Sequence, residues 1–267
     1  HARITTDGQT ATFHMAVSGA AGESHPTPTG ALAGSEVFSY VWPLTLDAGA
    51  VGFDRGAGIL ALAVTAHPDF DDTPLFDENG DGDRANDGDV WHSHWVVLGP
   101  DEACGAGALK VIDIPEGTTP ALPATWPGLP LLIDSPGWQP FMDAESVDVP
   151  VAFPAGTALD GLGFDGVTAG LRVNASAHAP LLCVVDVFDV ASGDLGLSAA
   201  RKYDFIISEP TNPWVSGVSS LFTVEFYREA KRYLKPNGIM AQWLQGYELS
   251  DALLLTVLAA LDQEFSD

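Results

Sequence analysis

The chain has 267 residues, 46% of them apolar, and carries 36 Asp and Glu against 11 Lys and Arg, a formal net charge of -25. That length supports one large domain or two ordinary ones with a sizeable core, and the composition excludes a disordered chain. The charge excludes nucleic acid and anionic membranes as partners and suits divalent cations and a salty or extracytoplasmic setting.

The charge divides the chain. Residues 1–200 hold 27 acidic side chains against 5 basic ones, net -22, whereas residues 201–267 hold 9 against 6, net -3. All seven His and both Cys fall in the first segment. Such asymmetry predicts an acidic β-rich domain over 1–200 and a separate α/β segment over 201–267. The chain opens on His1, as a processed or excised chain does. No apolar run approaches the roughly 20 residues of a transmembrane helix. Cys104 and Cys183 suit either one disulfide in a secreted domain or two buried thiols.

In chain order, runs rich in β-branched and aromatic residues predict strands at 12–17, 37–42, 59–65, 90–98, 109–114, 149–153, 168–173 and 181–188. Glycine and proline turns separate them, and helical periodicity is almost absent. The pattern predicts a sandwich- or barrel-like fold. The Pro-rich stretch 115–140 reads as a loop across the surface. Beyond Arg201 the pattern changes: YDFIIS at 203–208 reads as a strand, and Thr223 caps a helix to about Leu234. IMAQWL at 239–244 reads as a second strand, and Ser250 opens a second helix. This βαβα order predicts a partial Rossmann-like segment on a parallel sheet.

LFDENGDGDRANDGDVWHSHW, residues 75–95, follows the third predicted strand and runs into the fourth. Asp77, Asn79, Asp81, Gly82 and Asp83 match the start of a calcium loop, with oxygen donors at alternate positions and a glycine for the sharp turn. The twelfth position, Glu in an EF-hand, is Gly88, and Asp87 and Asp89 flank it. No helix signals bracket the stretch, so the expectation is a calcium loop between strands with ligands Asp77, Asn79, Asp81, Asp83, Asp87 and Asp89.

His92 and His94 are two residues apart on a predicted strand and share a face with Val96 and Leu98, while Trp91 and Trp95 face the other way. Two imidazoles on one face can bind a transition metal, copper or zinc, given a further ligand. His67, in HPDFDD, is the first candidate, with Asp69 and His14 as alternatives. A copper brace from the amine and ring of His1 is a further expectation. Gly161, Gly163 and Gly166 fit G-x-G-x-x-G, and Asp186 follows at the offset of a ribose-binding acid. No strand precedes the glycines and no helical stripe follows, so they read as a turn between strands.

Residues 201–267 contain Tyr203-Asp204, the run Ser208 to Trp214 (SEPTNPW), Leu221-Phe222-Thr223, Phe226-Tyr227, Leu234-Lys235-Pro236 and Gln242-Trp243. In this order they resemble the spermidine synthase-like family, as in its forms fused to bacterial transporter segments. The resemblance covers a quarter of the chain. It implies a Rossmann-like domain that transfers an aminopropyl group from decarboxylated S-adenosylmethionine to a polyamine. It places the catalytic carboxylate at Glu209, where true synthases carry Asp, and aligns their second acid with Asn212. The family's cofactor loop lies upstream of this match, and residues 1–200 do not supply it.

Three functions follow. The favoured one is an extracytoplasmic domain binding calcium, and a transition metal besides, joined to an incomplete synthase-like segment. The alternatives are a transferase using Glu209 and a metalloenzyme centred on His67, His92 and His94.

Overall fold

A computed structural model describes residues 1–176, 180–210, 218–244 and 250–265. The chain divides into two compact units, 1–199 and 200–267. In the first unit, β1 (Ala2–Thr6) and β2 (Thr10–Ala16) form a hairpin. Then come β3 (Glu36–Pro43), β4 (Ile59–Ala66), β5 (His92–Pro100), β6 (Leu109–Val111), β7 (Ile133–Asp134), β8 (Phe141–Asp143) and β9 (Ser146–Ala152). The unit ends with β10 (Gly163–Phe164), β11 (Gly166–Val173), β12 (Leu182–Ala191) and β13 (Leu197–Ser198).

Six strands close into an antiparallel barrel in the order β4-β3-β11-β12-β6-β5, with β4 pairing β5 to complete the ring and β7 adding to β5. A second sheet, β1-β2-β9-β8, lies against one side of it. Residues alternate between faces along a strand, so each barrel strand feeds two cores. Leu60, Leu62 and Val64 of β4, Trp42 of β3 and Trp95 of β5 pack outward against Ile4, Phe13, Met15, Val147 and Val149 of the second sheet. Ala61 and Ala63, with Val37, Val41, Val96, Leu98, Val111 and Leu171, point into the lumen. Because β4 and β5 are covered on both faces, they read as nearly continuous apolar runs. Each fully buried leucine or valine in them contributes about 1.5–3 kcal/mol.

This is the barrel-like alternative of the two expected β architectures. The stretch 115–140 differs from its expectation. Leu131 and Ile133 enter the lumen core and Leu132 the outer core, because an apolar triplet gains more by joining the wall than by lying on the surface. Cys104 and Cys183 form a disulfide, Cα atoms 5.4 Å apart, tying the turn 102–104 to β12. Closing a loop with a sequence separation of 79 is worth about 4 kcal/mol in unfolded-chain entropy. The glycine motif is a turn: Gly163 starts β10, Gly166 starts β11, and no helix follows.

The second unit contains β14 (Ala200–Arg201), β15 (Tyr203–Ser208), α1 (Val224–Arg232), β16 (Leu234–Gln242) and α2 (Asp251–Asp262). Thr223 caps α1 by accepting from the Phe226 amide, and Ser250 caps α2 by accepting from Leu253. β15 and β16 pair in parallel. One such two-stranded ladder with two helices falls short of the multi-stranded sheet of a Rossmann-like fold, so that architecture is not established for the described residues. The ladder leaves Phe205, Ile207 and Ile239 exposed. On α2 the buried residues are Val257 and Ala260, while Leu255 and Leu258 are exposed. Among the described residues no helix is long and apolar enough to cross a membrane.

Candidate metal centre

β4 and β5 are a hairpin whose connection runs from His67 to Trp91. Their register sets Thr65 opposite His92 and Ala63 opposite His94. His67 follows directly on β4, where its amide donates to the Gly88 carbonyl at 2.6 Å. Asp72 lies five residues further along the connection. Hairpin pairing thus brings together residues 67, 72, 92 and 94, all at least 94% buried. They are the one group of three or more His, Cys, Asp or Glu side chains among the described residues whose donor atoms converge.

Asp72 Oδ1 is the hub. It lies 3.2 Å from His67 Nε2, 3.0 Å from His92 Nε2 and 3.2 Å from His94 Nε2. His67 Nε2 and His92 Nε2 are 3.1 Å apart. Ligand atoms around a tetrahedral ion with bonds of 2.0–2.1 Å are separated by roughly 3.3 Å; these four contacts fall within a few tenths of an ångström of that, and all four donor atoms lie within 4.8 Å of one another.

The far sides of the rings decide where the protons are. His67 Nδ1 lies 2.9 Å from the Phe70 carbonyl and His92 Nδ1 2.6 Å from the Val90 carbonyl. Carbonyls only accept, so both Nδ1 atoms carry hydrogen. His94 Nδ1 lies 3.0 Å from Ser135 Oγ, whose own hydrogen goes to the Asp72 carbonyl. Ser135 therefore accepts from His94 Nδ1. With hydrogen on Nδ1, an imidazole in its neutral form keeps the Nε2 lone pair facing the Asp72 carboxylate. Thr65 Oγ1 lies 3.2 Å from His92 Nε2. His94 Nε2 has no hydrogen bond; its approach to Asp72 is close but misaligned.

Burial opposes the Asp72 charge, yet the histidines around it outweigh burial and hold the carboxyl well below the usual range. Burial also pulls His92 down, but Asp72 overcomes it and raises the ring above its ordinary value. For His94 burial prevails and the value falls. A single proton on His92 settles its own contact with Asp72. The lone pairs of His67 and His94 still face the carboxylate, and a cation resolves all of these contacts at once.

The other expected ligands lie elsewhere. Asp69 is half-buried and accepts from the Thr29 and Gly30 amides. His14 sits on β2, 3.0 Å from Asp148, and the His1 amine donates to the Ala16 carbonyl. Asp72, which joins the cluster, follows Asp71 in the run HPDFDD; the signal was a carboxylate a few residues beyond His67.

The acidic loop is organised differently. Asp77 accepts from the amides of Gly80, Asp81 and Gly82, Asn79 from Asp81, Asp81 from Asp83, and Asp83 from Ala85. Asp87 is fully buried and accepts from the Glu78 and Asn79 amides. Among the described residues no three carboxylates of this loop converge, so the six expected calcium ligands, Asp89 included, are not brought together as a carboxylate cluster and calcium is not specifically supported. The reason is local, since short acidic side chains in tight turns bond first to the amides two to five residues on. Glu209 is exposed just beyond β15, and Asn212 lies outside the described residues. No family model matches this chain, and neither does any curated protein or solved structure.

Proposed function

We propose that the first unit is a β-barrel domain that binds one transition-metal ion through His67, Asp72, His92 and His94. The observation that carries the reading is the set of outer hydrogen bonds, which leave three imidazole Nε2 atoms as acceptors around one carboxylate oxygen. Outer-shell acceptors that fix a ring's tautomer are the usual accompaniment of metal-binding histidine. Three nitrogens and one oxygen suit zinc, copper, iron or nickel better than calcium, which takes oxygen donors. The disulfide supports an oxidising, extracytoplasmic setting.

The test is metal content by mass spectrometry after dialysis of the purified chain against zinc and copper. About one equivalent is expected in the wild type and none in His92→Ala or Asp72→Ala. Unchanged content in both variants would reject the site.

A second reading concerns residues 201–267. The parallel pairing of β15 and β16 and the position of Glu209 directly beyond β15 support the transferase expectation. Transfer of an aminopropyl group to putrescine, lost in Glu209→Gln, is the measurement; no turnover by the folded chain would exclude it.

A further inference from the structure

The barrel lumen contains a cavity of about 460 Å³, within the range of small-molecule sites, roughly 300–1,000 Å³. Its wall is aliphatic, with Val41, Ala63, Leu98, Ile133, Ala169 and Leu171 contributing. Four alternate residues of β11, from Val167 to Val173, line it, so it extends for about 20 Å at the rise of a strand. Exposed Val187 and Val190 of β12 also line it and make an apolar lip. The small side chains at Ala63 and Ala169 leave the space that larger residues would fill.

The wall is not uniform. His67, Asp72 and His94 belong to it, and His94 Nε2 is a buried acceptor without a hydrogen bond. Among the described residues, no lysine or arginine lines the cavity. A divalent ion held by three neutral imidazoles and one carboxylate leaves a net charge of +1 facing a mostly apolar tube, whose second carboxylate, Asp165, is already engaged by the Gly193 and Leu195 amides. An uncompensated charge in such surroundings is costly, and an anionic head on an aliphatic tail neutralises it while the tail covers the wall.

We propose that the lumen binds a medium-chain aliphatic carboxylate, its tail along β11 and its head on the metal held at the His67, Asp72 and His94 end. This rests on the metal-binding reading. Without the ion, the Asp72 carboxylate repels the head group, so metal and ligand bind cooperatively.

The test uses the full chain, metal-free and loaded with one equivalent of zinc, with zinc content measured on every sample. Each is titrated calorimetrically with decanoate and with decan-1-ol. Decanoate is expected to bind the loaded protein at least tenfold more tightly than the metal-free protein, and decan-1-ol to distinguish the two much less. Ala169→Leu and the smaller intrusion Ala63→Val are expected to weaken decanoate at least tenfold with zinc content unchanged. Zinc-loaded protein that ignores decanoate overturns this inference alone. So does equal affinity with and without zinc, or full affinity in both filled variants. A folded chain that takes up no zinc overturns the metal site and this inference with it.

Discussion

The acidic loop and the histidine cluster share one hairpin connection, and both concentrate metal-ligating side chains, yet they are assembled on opposite principles. In the loop, three carboxylates are satisfied within five residues of themselves: Asp77 by three amides, Asp81 by Asp83 and Asn86, Asp83 by Ala85. In the cluster, local partners take only the outer ring nitrogens, and the inner ones meet across a strand pairing of 25 or more residues. Exposure follows the same division. Asp81 and Asp83 lie in solvent, where a charge needs no partner, while Asp72 is buried and does. Density of acidic residues therefore says less about a metal site than the directions in which their local hydrogen bonds leave the lone pairs pointing.

The two regions also support each other. Asp71 accepts from the Thr73 and Asp87 amides, and the Gly88 carbonyl accepts from His67. The end of the acidic loop thus holds the segment that delivers His67 and Asp72.

Four measurements break or sharpen this comparison. The largest effect is expected from metal addition to the chelated protein. Zinc at about a thousandfold above its dissociation constant stabilises by about 4 kcal/mol, which raises Tm by roughly 10 °C. Calcium should leave Tm nearly unchanged; an equal rise with calcium would return the acidic loop to a metal-binding role.

Next comes Gly88→Ala. A Cβ there would stand 1.8 Å from the Phe70 carbonyl oxygen and 2.5 Å from that of His67. Phe70 is the acceptor that orients His67, so zinc affinity should fall by about 10–100-fold. Gly80→Ala meets no atom within 4 Å and serves as the control in the loop: it is strained at φ 74° but should leave zinc affinity alone. Equal losses in both would show that loop conformation in general, rather than this contact, matters.

Asp87→Ala should destabilise the fold by about 1–3 kcal/mol in urea unfolding, because two amides lose a buried acceptor. The smallest effect is expected from Asp81→Ala, whose side chain is exposed: no resolvable change in Tm, with zinc or with calcium. A calcium-dependent loss there would mean that the loop gathers an ion after all.

Much of the barrel was legible because its strands carry the signal that two-sided burial imposes. Eight runs of β-branched and aromatic residues, among them those at 37–42 and 59–65, fall on observed strands. β1, with Arg3 and two threonines, and the two-residue β7 were not legible, since a short or polar strand is made by its neighbours. At the site, the shared face of His92 and His94 follows from strand periodicity alone. Asp72 does not, because nothing in HPDFDD distinguishes the carboxylate that is buried in the cluster from half-buried Asp69, which turns to Thr29 and Gly30.

The amino-acid sequence by itself determined the β-rich character of residues 1–200, the in-phase pair His92 and His94, and the caps at Thr223 and Ser250. These depend on interactions between residues a few positions apart. Tertiary structure alone decided that β4 pairs β5 to close a ring, that Cys104 meets Cys183, and that Asp72 rather than Asp69 or His14 completes the cluster. It also decided that the lumen keeps a cavity instead of filling. Those outcomes depend on contacts between distant segments, where the entropy of closing a long loop is met by burial and pairing that no local window contains.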